Sequence, residues 1–238
     1  MLPVRKLLCL FAALFLALPV FAADSARVMV LRAEQLRKEF KYPEALAQVA
    51  QILKIYPSCV DALSLRSDIY KEQGHLQQAL ADMNLAHSLE PNNLDIYKRR
   101  CRMLDMMGRL DAALVDYEDI LKKCPADPQM WAYRGQAYKR LKRYEEAARD
   151  FARAVACGPN HRDTADWMYE SGNCNLLIGK LPEALQVFDL MVKRFPDLST
   201  GFWGRAKVLE KMNRPAEAEK ARAQAKKLDL DLDPAGRF

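Results

Sequence analysis

The chain has 238 residues, of which 50% are hydrophobic and 29% are charged. Its 37 Lys and Arg residues against 31 Asp and Glu residues give a formal net charge of +6. That excess is too small to indicate a nucleic-acid-binding protein by itself. The hydrophobic fraction is enough to bury both faces of paired helices.

The N-terminal segment 1–23 differs in kind from everything that follows it. Arg5 and Lys6 precede an apolar run over 7–18, and small residues come after it. Twelve apolar residues are too few to span a bilayer comfortably, and the pattern is typical of a bacterial secretory leader. We predict a cleaved signal peptide over 1–22 and export to the periplasm or beyond, with an uncleaved N-terminal anchor as the alternative. Without Arg5 and Lys6 the charge is 35 against 31, or +4.

Three kinds of residue recur along the rest of the chain at one fixed spacing, with a single three-residue insertion after the fourth copy. Prolines stand at 57, 91, 125, 159 and 196, and alanines at 45, 79, 113, 147, 184 and 218. A small residue recurs as Ala33, Ser67, Cys101, Gly135, Gly172 and Ala206. Chance alignment at three positions is negligible, so we predict six repeats and a tail: 26–59, 60–93, 94–127, 128–161, 165–198, 199–232 and 233–238.

The fourth repeat has the clearest signature. It reads Trp131-x2-Arg134-Gly135-x2-Tyr138, then Ala147-x3-Phe151-x2-Ala154, then Pro159. This resembles a tetratricopeptide repeat (TPR), a helix-turn-helix unit of the same length as the spacing seen here, with Arg134 where the usual pattern has Leu. The resemblance extends over nearly all of the chain after residue 25. It implies an all-α, right-handed TPR solenoid of six helix-turn-helix repeats.

A turn residue in the left-handed conformation is expected after each first helix. Four repeats have residues that favour this conformation: Gly74, Gly108, Gly179 and Asn213. Phe40 and Lys142 stand at the same place in repeats one and four, which predicts turns of a different build there. The prolines are expected to close the second helices, because proline cannot continue the hydrogen-bond ladder.

The last two repeats depart from the common pattern. The insertion at 161–164 is expected to lengthen or bend the next helix, with Asp163 or Thr164 as its cap. In repeat six the second helix, over 216–227, is polar and basic, and Leu230 replaces the closing proline. A polar last helix suits the end of a repeat array in water, so we predict a C-terminal cap and a mobile tail from Asp229.

No recognisable set of nucleophile, base or metal ligands converges in the sequence. The histidines, at 75, 87 and 161, lack the spacing of a metal site, so we predict no enzymatic activity, no cofactor and no metal. Five cysteines follow the leader at irregular spacing, which does not indicate a disulfide framework. Whether Cys157 and Cys174 pair across a repeat boundary stays open.

The resemblance implies a concave groove lined by the first helices of the repeats. Four basic residues at groove positions are candidates for binding an acidic partner segment: Lys98, Arg102, Lys139 and Arg140. Lys98 and Arg102 are four residues apart and share one helix face. A solvated charged face is the alternative interpretation.

Groove positions nearer the C-terminus are apolar. Tyr169 and Trp203 are candidates for an apolar anchor, with packing against neighbouring helices as the alternative. Chaperone-binding members of the family hold a peptide carboxylate with Lys and Asn at fixed groove positions. The residues expected there are replaced in this chain by Arg102, Tyr133, Asp166 and Glu170, which disfavours that mode of recognition.

Arginine recurs at position 7 of five repeats and resembles a basic ladder for nucleic acid: Arg32, Arg66, Arg100, Arg134 and Arg205. Repeats two to four also carry an aspartate at position 23, which is as far from the turn as position 7. Repeat five lacks both residues and has Ser171 and Val187 instead. We therefore predict three largely buried structural ion pairs: Arg66 with Asp82, Arg100 with Asp116, and Arg134 with Asp150.

Together these features predict a non-enzymatic protein-protein interaction scaffold or assembly factor in the bacterial cell envelope. Its partner would be a protein or peptide segment, acidic with an apolar anchor. One alternative is a periplasmic chaperone or pilotin-like factor for a secretion or pilus system. Another is an accessory subunit that binds an acidic glycan or nucleic acid, for which strong salt dependence would be the sign. The sequence leaves the oligomeric state open.

Overall fold

The computed structural model describes residues 25–232, and side-chain surroundings over 25–229. Helices and turns form the whole of this range, which contains no strand. The helices are α1 (25–38), α2 (Tyr42–Ile55), α3 (Val60–Glu72), α4 (Leu76–Leu89), α5 (Leu94–Met106), α6 (Leu110–Lys123), α7 (Pro128–Arg140), α8 (Tyr144–Cys157), α9 (Thr164–Leu177), α10 (Leu181–Arg194), α11 (Ser199–Lys211) and α12 (Pro215–Leu232). The predicted signal peptide and the tail at 233–238 lie outside the described residues.

The chain divides into two compact units, with the boundary between Met107 and Gly108. The first unit holds α1 to α5, and Val49, Ile52 and Ile69 form the centre of one of its cores. The second unit holds α6 to α12, and Phe151 and Phe188 each belong to a core there. Each core lies between helices that are neighbours in the chain, as expected for short helix-turn-helix repeats.

Where both helices of a repeat lie in the same unit, the recurring small residues form the contact between them. All six alanines of the repeating pattern are 0% exposed, which confirms that they pack inside: Ala45, Ala79, Ala113, Ala147, Ala184 and Ala218. The small residues of the first helices are buried as well. Ser67, the polar one among them, donates its hydroxyl to the carbonyl of Ala79 at 2.9 Å. A larger side chain at either position would separate the two helices.

A residue in the left-handed conformation follows each of the six first helices, so the expectation that repeats one and four differ is wrong. Phe40 and Lys142 have φ of 59° and 60°, against 58° at Asn213 and 72° to 79° at the glycines. Phe40 N–H bonds to Arg37 O and Lys41 N–H to Leu36 O, which is the Schellman arrangement. These hydrogen bonds satisfy the last carbonyls of the helix and outweigh the cost of about 1 kcal/mol for an L-residue in this conformation.

Each second helix of repeats one to five ends two residues before its proline, as in Ile55 before Pro57 and Cys157 before Pro159. The residue preceding a proline is pushed out of the helical region, which places the stop. The helix α12, without such a proline, continues to Leu232. The prediction of a tail that starts at Asp229 is therefore wrong, since Asp229 lies within this helix.

The hydrogen bonds of the insertion between repeats four and five differ from those predicted. The helix α9 begins at Thr164 and has 14 residues, one more than α7 or α11, but neither Asp163 nor Thr164 caps it through a side chain. The Thr164 hydroxyl instead lies 2.7 Å from the carbonyl oxygens of both Gly158 and His161. The hydroxyl therefore holds the loop closed rather than satisfying a helix N–H.

Candidate functional site

Two of the predicted ion pairs are present within the units. Arg134 donates from Nε and Nη2 to the two oxygens of Asp150 at 2.6 and 2.8 Å, and Arg66 donates to Asp82 at 2.8 and 2.6 Å. Asp150 and Asp82 are 4% and 5% exposed, whereas the side chains of Arg134 and Arg66 are 16% and 29% exposed. These pairs are therefore buried at the carboxylate and partly open to water at the guanidinium. The pairing of Arg100 with Asp116 remains a prediction.

A further pair was missed because it uses the preceding helix rather than the following one. Arg205 on α11 donates from Nε to Asp189 on α10 at 2.6 Å. The two residues are again 16 positions apart, so a search in both directions along the chain would have found the pair. The Asp189 side chain is 49% exposed, and a pair this open to water is worth about 0 to 1 kcal/mol.

The first unit contains a pocket between α3 and α5, here called the α3–α5 pocket, with a volume of about 330 Å³. Its floor is apolar: Met83 and Met103 are 1% and 4% exposed, and Met106, at 57%, stands where the pocket opens. Methionine is flexible and polarizable, and pockets lined by it accommodate apolar side chains of varied shape. The sequence alone does not reveal this floor, because methionines at helical spacing are usually core residues.

The rim of the α3–α5 pocket is basic. Asp68 accepts hydrogen bonds from Lys71 at 3.1 Å and from Arg99 at 2.8 Å, which joins α3 to α5. Burial raises the pKa of Asp68, but the charges of Arg99 and Lys71 outweigh it and hold the pKa below its usual value. The predicted site residue Arg102 lines the same pocket, is exposed, and makes no ion pair within residues 25–229. The pocket thus combines an apolar floor with a cation that can pair with an incoming acidic group.

The predicted basic residues of the second unit lie on α7. Lys139 forms two short hydrogen bonds, of 2.7 and 2.6 Å, to the oxygens of Glu170 on α9, and both side chains are about three-quarters buried. This is a correction to the prediction that Lys139 is available to an acidic partner: its charge is already used in joining neighbouring repeats. Arg140, one residue further along, is exposed.

The predicted apolar anchors, Tyr169 and Trp203, are both engaged within the second unit. The ring of Tyr169 packs edge-on against Phe188 with 6.0 Å between centroids. The indole N–H of Trp203 donates to Asp229 at 3.0 Å, a contact that exists because α12 extends past 227, where its end was expected. Packing against neighbouring helices, the alternative considered from the sequence, therefore accounts for part of each side chain.

The described cysteines are all free thiols. The Cys157 thiol lies 3.6 Å from the carbonyl oxygen of Pro125, while Cys174 is buried in a core beside Trp167. Burial, with a smaller contribution from Glu170, raises the pKa of Cys174 to about 11. A disulfide between the two is absent, and a thiol with this pKa is a poor nucleophile at neutral pH.

Residues 25–229 contain no cluster of three or more His, Cys, Asp or Glu side chains arranged to hold a metal ion. Among the helices of the described range, none combines the length and the apolar character that crossing a bilayer requires.

Comparison with known protein families gives two matches. A family model described as "Tetratricopeptide repeat" matches residues 106–162, and a second with the same description matches residues 60–93. Among curated proteins, Hsp70-Hsp90 organizing protein 3 of Arabidopsis thaliana is 32% identical over 92 residues, covering 39% of this chain and 16% of that protein. The chain spans about a third or less of the length of the curated relatives that it matches.

Solved structures share the fold. PilF of Pseudomonas aeruginosa matches with a TM-score of 0.65 at 12% identity, over 90% of this chain and 95% of that one. YrrB, described as a TPR protein with an unusual peptide-binding site, matches with a TM-score of 0.62 at 16% identity, over 79% and 93%. These identities are low enough that the likeness concerns the all-α helix-pair architecture alone.

Proposed function

Because the chain belongs to the tetratricopeptide repeat family, we propose that it is a non-enzymatic protein-protein interaction scaffold or assembly factor of the bacterial cell envelope. Proteins of this family and fold typically serve as scaffolds that bind protein or peptide partners. The observation that carries the proposal is the α3–α5 pocket, which places an apolar floor beside the unpaired cation Arg102. Its occupant would be a partner segment with an acidic residue next to an apolar side chain.

The proposed interaction combines two contributions that an experiment can separate. Apolar burial against Met103 and Met106 would slow dissociation, because it is lost only when the segment leaves. The charge of Arg102, together with Lys98 one helical turn earlier, would speed association with an acidic segment. The two halves of the site therefore predict different kinetic signatures.

The test of the binding face begins with a photo-crosslinking residue in place of Met106 in intact cells, followed by purification of the captured partner. We expect the Lys98→Glu/Arg102→Glu variant to bind that partner at least tenfold more weakly, through slower association with a flatter salt dependence. Lys54→Glu, an exposed charge reversal on α2 of the same unit, is the control and should bind like the parent. Equal affinity of the double variant and the parent would place the partner elsewhere.

Export is the second part of the proposal and rests on the segment 1–22. If the leader is cleaved, the protein recovered from its native host begins at Ala23, and its intact mass lacks the segment 1–22. A mass that retains this segment would indicate an N-terminal anchor instead. Recovery of the captured partner only from cytoplasmic fractions would contradict the envelope location.

A further inference from the structure

A crevice of about 290 Å³ lies between the two helices of the fourth repeat, α7 and α8. One side is built from stacked aromatic and guanidinium groups. The Arg134 guanidinium carbon lies 4.9 Å from the ring centroid of Trp131 and 5.6 Å from that of Tyr138. Because Asp150 holds Arg134 through two hydrogen bonds, this wall is rigid.

Both carboxylates that line the crevice already accept hydrogen bonds from arginines of this chain. Asp150 pairs with Arg134, and Glu146 accepts two hydrogen bonds from Arg143, at 2.9 and 2.7 Å. The hydrogen bond from Arg143, and to a smaller extent the charge of Arg149, keep the pKa of Glu146 below its usual value. Both carboxylates are therefore matched by an arginine.

Two further arginines, Arg149 and Arg153, line the same crevice from α8. Both are exposed, and neither forms an ion pair among residues 25–229. They are four residues apart on one helix, so their side chains leave the same face. The crevice thus carries two positive charges that form no ion pair within residues 25–229, beside the partly buried rings of Trp131 and Tyr138.

The other repeats lack this combination. Their residues at the positions of Arg149 and Arg153 are Ala47 and Gln51, Ala81 and Leu85, Val115 and Asp119, Gln186 and Leu190, and Lys220 and Gln224. Helix packing in this fold does not require a cation at either position, since the other repeats form their helix pairs without two of them. Helix packing therefore does not explain why repeat four has arginine at both positions.

We propose that the α7–α8 crevice binds a phosphate monoester carried on an aromatic ring. A phosphate dianion matches the two charges of Arg149 and Arg153, and its three terminal oxygens can accept from both guanidiniums at once, whereas a carboxylate has one charge and two oxygens. The ring would lie beside Trp131 and Tyr138, which line the crevice. This site is separate from the α3–α5 pocket and goes beyond the proposed scaffold function.

The test uses the purified mature chain and phenyl phosphate, with the indole N–H resonance of Trp131 as the reporter and Trp131→Phe to assign it. We expect a saturable shift of that resonance, with at least tenfold weaker binding of benzoate and of inorganic phosphate. The Arg149→Gln/Arg153→Gln variant should also bind at least tenfold more weakly while its circular dichroism is unchanged. A tripeptide centred on phosphotyrosine distinguishes the source: tighter binding than phenyl phosphate indicates a protein ligand, and weaker binding a small molecule.

The matched control is Lys220→Gln/Lys227→Gln, which removes the same net charge from exposed positions of α12, one of them equivalent to Arg149. This variant should bind phenyl phosphate like the parent. If it loses as much affinity as the arginine variant, the effect is general charge attraction and the site is refuted. Equal binding of benzoate and phenyl phosphate, or the absence of any shift at Trp131, would refute it as well.

Discussion

Gly204→Ala is expected to lower the free energy of unfolding by about 3 kcal/mol, at the upper end of the range for overpacking a core. A Cβ atom on Gly204 would lie 2.2 Å from Cε1 of Phe188 and 2.5 Å from two further ring atoms. The ring cannot retreat, because it is 1% exposed and a Cβ on Gly172 would already lie 2.8 Å from its other edge. Urea unfolding followed by circular dichroism measures the change.

Gly201→Ala on the same helix is the matched control. The atoms nearest to its Cβ would belong to the side chains of Val192 and Met191, at 3.2 Å and beyond, and Ala is favoured over Gly in a helix by about 1 kcal/mol. This variant should be as stable as the parent or more so. Phe188→Leu in the Gly204→Ala background should recover part of the loss, whereas a Gly204→Ala variant as stable as the parent would contradict the packing described for α9, α10 and α11.

Asp150→Ala is expected to cost about 3 kcal/mol, because it leaves the guanidinium of Arg134 mostly buried and unpaired. Arg134→Ala should cost a similar amount, since Asp150 is 4% exposed and would lose both of its short hydrogen bonds. The double variant should cost less than the sum of the singles, because neither partner is then stranded. Unfolding free energies of the four proteins give the coupling energy directly.

Arg205 and Asp189 provide the control cycle. The pair has the same spacing along the chain and one hydrogen bond of the same length, but Asp189 is about half exposed. Its coupling energy should be about 0 to 1 kcal/mol. If the coupling energy of Arg134 with Asp150 is as small as that of Arg205 with Asp189, burial does not strengthen the pair. Arg134 then becomes available as a ligand contact of the α7–α8 crevice.

The local features of the fold could be predicted because their causes are local in the chain. A proline stops a helix two residues before it, and an alanine that recurs once in every repeat must occupy the same place in each helix pair. The pairing of Arg134 with Asp150 followed from the same logic, because both stand equally far from one turn. The left-handed residues Phe40 and Lys142 were misjudged because their own preferences count for less than the hydrogen bonds that the turn provides.

By itself, the sequence determined the repeat length, the helix order and the residues at each helix-helix contact, since these depend on periodicity and on stop signals. Beyond the pairs of Arg66 with Asp82 and Arg134 with Asp150, only the tertiary structure decided which charges are matched. Lys139 meets Glu170, and Asp68 meets Arg99, across helices 31 residues apart in the chain, at distances set by packing and side-chain rotamers rather than by spacing. For the same reason the sequence indicated basic helices but not which of their cations are paired. The structure separates the paired cations from Arg102, Arg149 and Arg153, which form no ion pair with a carboxylate of residues 25–229.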